Sequence, residues 1–462
     1  MEYFFKIAKT CSIREIVDYN LFYIVNPVNG CWSVISAEDI DFVSMFVGKT
    51  IHFRDLHLSK SHLSLLKTLF HQGILEINNK SYYTEQVIRE AERVITIIIN
   101  TTNGCNIHCK YCYAYSNEKT YVKFSPASII ADITKLVGNN ENQKISIVFH
   151  GGEPLLCWDN IVEMIIKLNS RFKNISYSIQ TNGILITKQI VNFVKSNKIK
   201  IGISLDGFNK QANINRFGKD NNNFLKRVLD NIDVLMHNNI LIGLLSVITK
   251  ENYRDLFDSV IFFVDKGVKH FGFNFFLSKG RGADKNTEVL VNELVDIYIK
   301  LACYINDYNA HHVLEDYISE RTISVLIYSL SHKPLGACFS TPCSAGKNLF
   351  AIDVNGDIYP CDEFVGDVSF RFGNIRIGDF STENIKNDNF TKLSHRNNNS
   401  IEKCKLCQIN RLCPFKCPSD SYYRTGDLFQ PHSMCEFTKL ILPKYMYLLQ
   451  QNIISSRYFI FN

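Results

Sequence analysis

Proline and long apolar runs are both scarce in this chain, and each scarcity excludes a class of protein. Only 10 of the 462 residues are proline, so long flexible linkers between domains are not expected. No apolar run approaches the ~18 residues that a membrane-spanning helix requires. The first residues also lack the basic segment and small-residue cleavage site of a secretion signal. We therefore expect a cytoplasmic protein that makes no contact with a membrane.

The charge balance argues against a nucleic-acid partner. The formal net charge is +6, which is small for this length, and no Lys/Arg-rich run marks a basic surface. Hydrophobic residues make up 46% and charged residues 21% of the chain, as in an ordinary globular protein. The length allows two or three domains with a sizeable core.

Cysteine is abundant, with 15 residues, most of them in two groups. In a reducing cytoplasm, clustered cysteines indicate metal binding rather than disulfides. The first group, Cys105, Cys109 and Cys112, has CxxxCxxC spacing. Such a trio can ligate three irons of a [4Fe–4S] cluster and leave the fourth iron open to a cofactor. Buried thiols or a partial zinc site are the alternatives.

The second group contains eight cysteines in the C-terminal part of the chain, enough to ligate two further [4Fe–4S] clusters fully. A pair of zinc sites is the alternative, since tetrahedral thiolate sites suit either metal. The remaining cysteines fit no metal-binding spacing and are expected to be buried thiols. The eight are Cys338, Cys343, Cys361, Cys404, Cys407, Cys413, Cys417 and Cys435.

From Val94 onward, apolar strand-like segments alternate with helical ones, which predicts an α/β fold with a parallel sheet. Six such units indicate a partial (β/α)6 barrel of TIM type. Chemistry in these barrels gathers on the loops that follow the strands, and polar residues follow each of the first four predicted strands. The predicted strands cover residues 94–100, 145–150, 175–181, 199–205, 240–248 and 268–275.

The first cysteine group, with Tyr111 directly before Cys112, resembles the CxxxCxΦC motif (Φ aromatic) of the radical S-adenosylmethionine (SAM) superfamily. The resemblance implies that SAM chelates the open iron of the cluster. It also implies that the reduced cluster cleaves SAM to a 5′-deoxyadenosyl radical, which takes hydrogen from a substrate. The electron would come from an external donor of flavodoxin or ferredoxin type.

The same resemblance assigns SAM contacts to the polar loops after the strands. A Gly-Gly-Glu segment would bind the ammonium group and an arginine the carboxylate, while polar side chains contact the ribose and two further residues the adenine. Each motif taken singly could be an ordinary turn; together and in this order they favour a cofactor site. The assigned residues are, in that order, Gly151, Gly152 and Glu153; Arg216; Gln180, Thr181, Asn182 and Ser204; and Tyr111 and Val247.

The second cysteine group resembles the SPASM extension of radical SAM enzymes. Asp362, directly after Cys361, resembles the general base of anaerobic sulfatase-maturating enzymes, in which a carboxylate takes the proton released after hydrogen abstraction. An aspartate that accepts local backbone N–H groups is the alternative. The resemblance implies three clusters in all, with an inner auxiliary cluster on Cys338, Cys343, Cys361 and Cys417 and an outer one on Cys404, Cys407, Cys413 and Cys435.

The first ninety residues have a different pattern, with a hairpin of apolar strands at 21–25 and 31–35, two helices and a small wing. They resemble the winged-helix leader-binding domain (RiPP recognition element) that precedes many enzymes acting on ribosomally synthesised peptides. There a leader peptide adds a strand to a sheet edge; a structural cap is the alternative. The predicted domains are 1–90 (leader binding), 91–310 (barrel), 311–337 (helical connector), 338–440 (SPASM) and 441–462 (C-terminal tail).

Together these features predict a radical SAM/SPASM enzyme that oxidatively modifies, by our interpretation through crosslinking, a side chain of a ribosomally made precursor peptide. One alternative is formylglycine formation on a sulfatase, suggested by Asp362. Another alternative, of a different class, is a non-catalytic, metal-stabilised peptide-binding module.

Overall fold

The N-terminal residues form two small antiparallel sheets and two helices around a shared apolar core. The computed structural model describes residues 3–460 except 83–93, 115, 117–121, 139–141, 219–220, 284–288, 334, 375, 381–387 and 398. The N-terminal elements are β1 (Phe4–Ile7), β2 (Ser12–Ile16), β3 (Leu21–Val25), β4 (Trp32–Ser36), α1 (Ile40–Ser44), β5 (Thr50–His52), α2 (Lys60–His71) and β6 (Leu75–Ile77).

The sheets have the strand orders β5–β1–β6 and β2–β3–β4. The predicted hairpin is confirmed, because β3 and β4 pair antiparallel with Val25 opposite Trp32. The predicted second helix is also confirmed: α2 begins after Ser59, whose Oγ accepts from the His62 N–H at 3.1 Å and so satisfies an otherwise unpaired helix donor. Strands β1, β2 and β5 were not predicted. The proposed last strand of the wing extends to residue 84, outside the described residues.

All six predicted strands of the barrel are confirmed, and they lie side by side in chain order in one parallel sheet. Alternate residues of these strands are fully buried, such as Ile97 and Ile99 on the first and Ile147 and Phe149 on the second. The strands and helices are β7 (Val94–Asn100), α3 (Pro126–Val137), β8 (Lys144–His150), α4 (Trp158–Asn169), β9 (Ile175–Thr181), α5 (Lys188–Ser196), β10 (Lys200–Ser204), α6 (Ile214–Phe217), α7 (Asn221–His237), β11 (Ile242–Val247), α8 (Leu256–Asp265), β12 (His270–Asn274) and α9 (Val291–Ala310).

Two further strands extend the parallel sheet beyond the predicted six. Strand β13 (Ser319–Glu320) pairs with β12, and it lies where a wholly helical connector was predicted; a short 3-10 helix (Leu314–Asp316) precedes it and α10 (Arg321–Leu330) follows it. Strand β14 (Leu349–Ile352) pairs with β7 at the other edge. Two residues carry no readable periodicity, which is why β13 escaped prediction. The sheet continues antiparallel through β15 (Asp357–Tyr359) and β16 (Gly373–Asn374).

The last part of the chain is helical and ends in the core. The predicted boundary between a SPASM domain and a tail at residue 441 is wrong, because one helix runs through it and packs against α9. The Tyr445 hydroxyl donates to the Tyr298 carbonyl at 2.9 Å, and Phe459 is only 2% exposed. The helices are α11 (Asp388–His395), α12 (Glu402–Lys405), α13 (Pro418–Thr425) and α14 (Cys435–Gln450). Within the described residues, every helix is too short or too polar to cross a bilayer.

Helix α14 also closes the edge of strand β4. The Gln450 side-chain amide accepts from the Val34 N–H at 2.8 Å and donates to the Val34 carbonyl at 2.6 Å. It therefore replaces a neighbouring strand at this position.

We predict that Gln450→Ala loosens this edge, because a buried backbone pair left without partners costs about 1–3 kcal/mol. Hydrogen exchange of residues 32–36, followed by mass spectrometry, should become about tenfold faster, since 1.4 kcal/mol is tenfold in an equilibrium. The neighbouring exposed Gln451 provides the control, and Gln451→Ala should leave the exchange unchanged. Equal exchange in both variants would contradict this role for Gln450.

Candidate active site

A cavity of 590 Å³ lies at the carboxyl ends of the parallel strands. The first cysteine group lines one part of it, and four cysteines of the second group line another part. Apart from Glu153, every residue assigned to SAM from the sequence lines it too. These lining residues are Cys105, Cys109, Cys112, Cys338, Cys343, Cys361, Cys417, Tyr111, Gly151, Gly152, Gln180, Thr181, Asn182, Ser204, Arg216 and Val247.

The loop that follows β7 carries the first three thiols and is held from a distant segment. Arg281 donates from Nε to the Cys109 carbonyl at 2.8 Å and from its backbone N–H to the Cys112 carbonyl at 2.9 Å. Burial raises the pKa of Cys105 to about 12 and that of Cys109 to about 11. A bound metal ion deprotonates a coordinating thiol, and three thiolate sulfurs are the kind of ligand that an iron–sulfur cluster uses. No motif in the sequence pointed to Arg281.

Gly151 and Gly152 have no side chains because the backbone of the neighbouring loop lies directly against them. Gly151 has φ of +109°, and a Cβ there would lie 2.7 Å from the Thr102 carbonyl oxygen. A Cβ on Gly152 would collide with the carbonyl oxygen of Gly104. These two glycines therefore let the loop after β8 rest directly on the start of the cysteine loop, while both still line the cavity.

Glu153 corrects one expectation, because its carboxylate is turned into the protein. It is 1% exposed and is not part of the cavity wall. Its Oε1 accepts from the Thr181 hydroxyl at 2.7 Å and from the Leu155 N–H at 3.0 Å, and its Oε2 accepts from the Asn182 N–H at 2.8 Å. Burial raises its pKa to about 7. In this structure Glu153 joins the loops after β8 and β9 instead of contacting a cofactor.

The side chains at the end of β9 divide between structural and cavity roles. Asn182 donates to Asn106 Oδ1 at 2.7 Å, with the same Nδ2 3.9 Å from Cys105 Sγ, so it supports the cysteine loop. Gln180 donates to Ser204 Oγ at 2.8 Å along the cavity wall. Gly202, opposite Gln180 on the neighbouring strand β10, leaves the room that the Gln180 amide occupies. All four residues line the cavity; Gln180 and Ser204 are bonded to each other, whereas Thr181 and Asn182 are bonded to Glu153 and Asn106 in neighbouring loops.

Asp206 organises the opposite wall of the cavity. It binds Arg216 Nη2 at 2.9 Å, accepts from the Tyr111 hydroxyl, and accepts from the Val247 N–H at 3.1 Å. Arg216 is 6% exposed, and its Nε has no hydrogen-bond partner in the described chain. A guanidinium held in place but incompletely bonded fits the predicted carboxylate of SAM. Asp206 itself was not predicted, although the Asp-Gly pair after strand β10 was visible in the sequence.

Asp362 lies behind the cavity wall and not on it, which corrects the expectation of a base in direct reach of a substrate. The Tyr113 hydroxyl donates to Asp362 Oδ2, and His150 Nδ1 lies 3.4 Å from the same oxygen. Tyr113 and His150 are the residues that line the cavity. Neither residue was assigned a role from the sequence. Their contacts with Asp362 make them candidates for a functional role.

The second cysteine group gathers in the two sets that the sequence assigned. Within each set the thiols lie close enough for their charges to interact, as Cys361 does with its three partners and Cys404 does with Cys407 and Cys435. The inner set lines the cavity and the outer set does not. No three metal-binding side chains of the described residues converge on a point that could hold a single ion.

Two family models match the chain in the order that the cysteines suggest. Residues 99–263 match the radical SAM superfamily, and residues 343–408 match SPASM, an iron–sulfur cluster-binding domain. The chain is a radical SAM enzyme. It uses SAM and iron–sulfur clusters, and the alternative of a non-catalytic binding module is therefore set aside.

Relatives of this radical SAM enzyme include proteins with different named activities. A cysteine-type anaerobic sulfatase-maturating enzyme of Clostridium novyi is 26% identical over 346 residues, which cover 70% of this chain and 87% of that one. The radical SAM cyclopropyl synthase TigE of Paramaledivibacter caminithermalis is 24% identical, with 92% of each chain covered. Streptococcus suis SuiB bound to its precursor peptide SuiA shares the fold, with a TM-score of 0.54, 15% identity, and coverage of 94% of this chain and 100% of that one.

We predict that Gly152→Ala removes the first cluster, because the added Cβ collides with the backbone that begins the cysteine loop. Reconstituted protein should contain about four irons fewer per chain, the content of one cubane. Gly243→Ala is the matched control, since its Cβ would meet only ordinary contacts at 3.7 Å. Iron content of Gly152→Ala equal to that of the control would show that the loop tolerates the collision.

Proposed function

We propose that this radical SAM enzyme is a peptide maturase that oxidatively modifies, by crosslinking, a side chain of a ribosomally made precursor peptide. The observation that carries the proposal is the shared cavity, lined by the first cysteine group and by the inner set of the second. A substrate in that cavity would lie between two candidate redox centres. An oxidation needs such an outlet for the electron that the substrate loses.

The cysteines of the three sets would hold three [4Fe–4S] clusters, and the open iron at the first set would bind SAM. The chemistry that these groups supply when bound is reductive cleavage of SAM and abstraction of a hydrogen atom from the substrate. The chain's own residues would fix the cofactor around them. Arg216 would pair with the SAM carboxylate, Gln180 and Ser204 would contact the ribose, and Tyr111 is held in place by Asp206.

The outer cysteine set supports an external electron partner of flavodoxin or ferredoxin type. This set does not line the cavity, and Leu406, next to Cys407, is 81% exposed. A centre near the surface can pass the electron of the substrate to a protein of the same type as the one that donates the electron for SAM cleavage. The inner set would then link the substrate to this outer centre.

The N-terminal residues support a peptide substrate that is held through its leader. Alignments with the Clostridium novyi maturase cover 70% of this chain, whereas that with TigE covers 92%. The two small sheets before the barrel offer strand edges for a peptide, the mode by which leader-binding domains act. Because Gln450 occupies the edge of β4 at Val34, the leader would use another edge, such as β5, beside which Phe53 is 48% exposed.

Formylglycine formation on a sulfatase is the second candidate, and Asp362 is the observation that favours it. The relatives named for that activity are 26% and 27% identical to this chain. In this candidate, Asp362 would receive the substrate proton through Tyr113 or His150.

The function is tested with reconstituted, anaerobic protein, dithionite and a peptide encoded beside the gene. We expect 5′-deoxyadenosine by chromatography, and by mass spectrometry a peptide that has lost two hydrogen atoms with a new internal bond. An aldehyde at a Cys or Ser of a sulfatase peptide would support the second candidate instead. Cys109→Ala should abolish 5′-deoxyadenosine, while Cys303→Ala, outside every metal set, should not. Absence of 5′-deoxyadenosine from the wild type would reject both candidates.

We further predict that Tyr113 and Asp362 act as one unit. Tyr113→Phe and Asp362→Asn should each slow peptide modification by about 10²-fold or more, the usual size of acid–base assistance. The double variant should be no slower than the slower single variant, because either change interrupts the same proton path: Tyr113→Phe removes the hydroxyl, and Asp362→Asn removes the basic carboxylate to which it donates. Rates that multiply in the double variant would mean that the two residues work independently.

A further inference from the structure

The cavity contains a second pair of charged side chains that no cofactor assignment uses. Arg321 and Glu363 both line it. Neither belongs to the SAM motifs or to a cysteine set. Arg216 stands near Cys109 of the first cysteine group, whereas Arg321 stands near Cys338 of the inner set. The two arginines therefore serve different parts of the cavity.

Arg321 is positioned by β13, the strand that was not predicted from the sequence. It begins α10 directly after β13, so it occupies the carboxyl end of that parallel strand, where barrel enzymes carry functional residues. Its Nη2 donates to Asn274 Oδ1 at the end of β12, and its Nε is buried without a hydrogen-bond partner in the described chain. The guanidinium lies over Gly272, where a Cβ would approach its Cζ to 3.6 Å.

Glu363, like Arg321, is held firmly in place but has a side-chain atom without a hydrogen-bond partner in the described residues. Lys279 Nζ binds the Glu363 carbonyl at 2.6 Å and the Val365 carbonyl at 2.8 Å, which anchors the backbone on both sides of the residue. The adjacent Phe364 is fully buried. The Glu363 Oε2 atom has no hydrogen-bond partner in the described residues. Arg321 is close enough for its charge to interact with that of Glu363.

The pair has complementary roles that match one kind of ligand. An arginine only donates hydrogen bonds, and the carbonyl oxygen of a carboxyl group accepts them in either protonation state. An extended peptide residue presents its own N–H and C=O on the same side, as in the bonded pairs of an antiparallel sheet. The aromatic rings of Phe275, Phe339 and Phe415 line the same cavity and offer an apolar surface to side chains.

We propose that Arg321 and Glu363 form a main-chain subsite, in which Arg321 donates to a carbonyl and Glu363 accepts from an N–H of the substrate peptide. This inference rests on the proposed function and names how its substrate is held. Because the contacts are to the main chain, they fix the position of the peptide without regard to its side chains. The leader would then select the peptide, and this subsite would set which residue stands beside the first cluster.

The test uses a minimal probe, the blocked tripeptide N-acetyl-Ala-Ala-Ala-N-methylamide, and its analogue with every alanine N-methylated. Binding to reconstituted enzyme with SAM is measured by saturation-transfer NMR. We expect the N-methylated analogue, which lacks the alanine N–H donors, to bind at least tenfold more weakly. Arg321→Gln should raise the Kd of the unmodified tripeptide at least tenfold, a loss of about 1.4 kcal/mol. Glu363→Gln, which keeps an acceptor oxygen, should raise it by a smaller factor.

Arg254→Gln is the matched control, since Arg254 is paired with Glu293 on the exposed surface and should leave binding unchanged. Iron content and melting temperature show whether each variant is intact; if Arg321→Gln fails to fold, Glu363→Ala, which removes the acceptor oxygens, decides, since it should raise the Kd at least tenfold and wild-type affinity would overturn the subsite. Equal binding of the two tripeptides, wild-type affinity in the intact Arg321→Gln variant, or no binding to the wild type would overturn the subsite. Tripeptide binding without 5′-deoxyadenosine formation would reject the proposed function and leave the subsite standing.

Discussion

The contact between the loop after β8 and the start of the cysteine loop is the constraint on which the site depends. Two consecutive glycines let the backbone at 151–153 lie against residues 101–104, with the Gly152 N–H on the Thr102 carbonyl at 2.8 Å and the Glu153 N–H on the Gly104 carbonyl at 2.9 Å. The cysteine loop has no regular secondary structure of its own, so these contacts set where its thiols stand relative to the strand ends. Any side chain larger than hydrogen at 152 would push the loops apart.

Buried carboxylates complete the same frame from within. Glu153 joins two loops, and Asp206 gathers Arg216, Tyr111 and Val247 around one wall. Taking a carboxylate out of water is unfavourable unless its oxygens are bonded, and the partners here come from several loops. Such a group stabilises one arrangement of those loops over others, because displacement of a loop would leave the buried charge unsatisfied. The site is therefore preorganised by groups that need not contact the cofactor.

The predictions agree with the structure where they rest on a local sequence pattern. They differ from it where a side chain bonds to residues that are distant in the sequence. The strands over 94–100 and 175–181 were predicted to the residue, because their alternating apolar pattern follows from burial on a parallel sheet. Spacing identified the first cysteine group, and the resemblance to the SPASM extension divided the second group into its two sets. Spacing does not show which way a carboxylate turns. Glu153 was predicted to contact SAM, but its carboxylate is bonded to Thr181 and the neighbouring backbone. Asp362 was predicted to contact the substrate, but its carboxylate is bonded to Tyr113. The role of Arg321 could not be predicted, because the strand that positions it has only two residues and therefore no recognisable sequence pattern.

The size of the cavity narrows what can be modified there. Its 590 Å³ is about the volume of a site for one drug-sized molecule, and SAM would occupy a large part of it. The clusters held by the first cysteine group and by the inner set would take up further space, so what remains is too small for a folded domain. Under the proposed function the peptide would therefore enter as an extended segment, which has main-chain N–H and C=O groups without partners. An enzyme that accepts such a segment needs polar groups to replace the hydrogen bonds to water that the segment loses. In the proposed subsite, Arg321 Nε and Glu363 Oε2, which have no hydrogen-bond partner in the described residues, would meet that need.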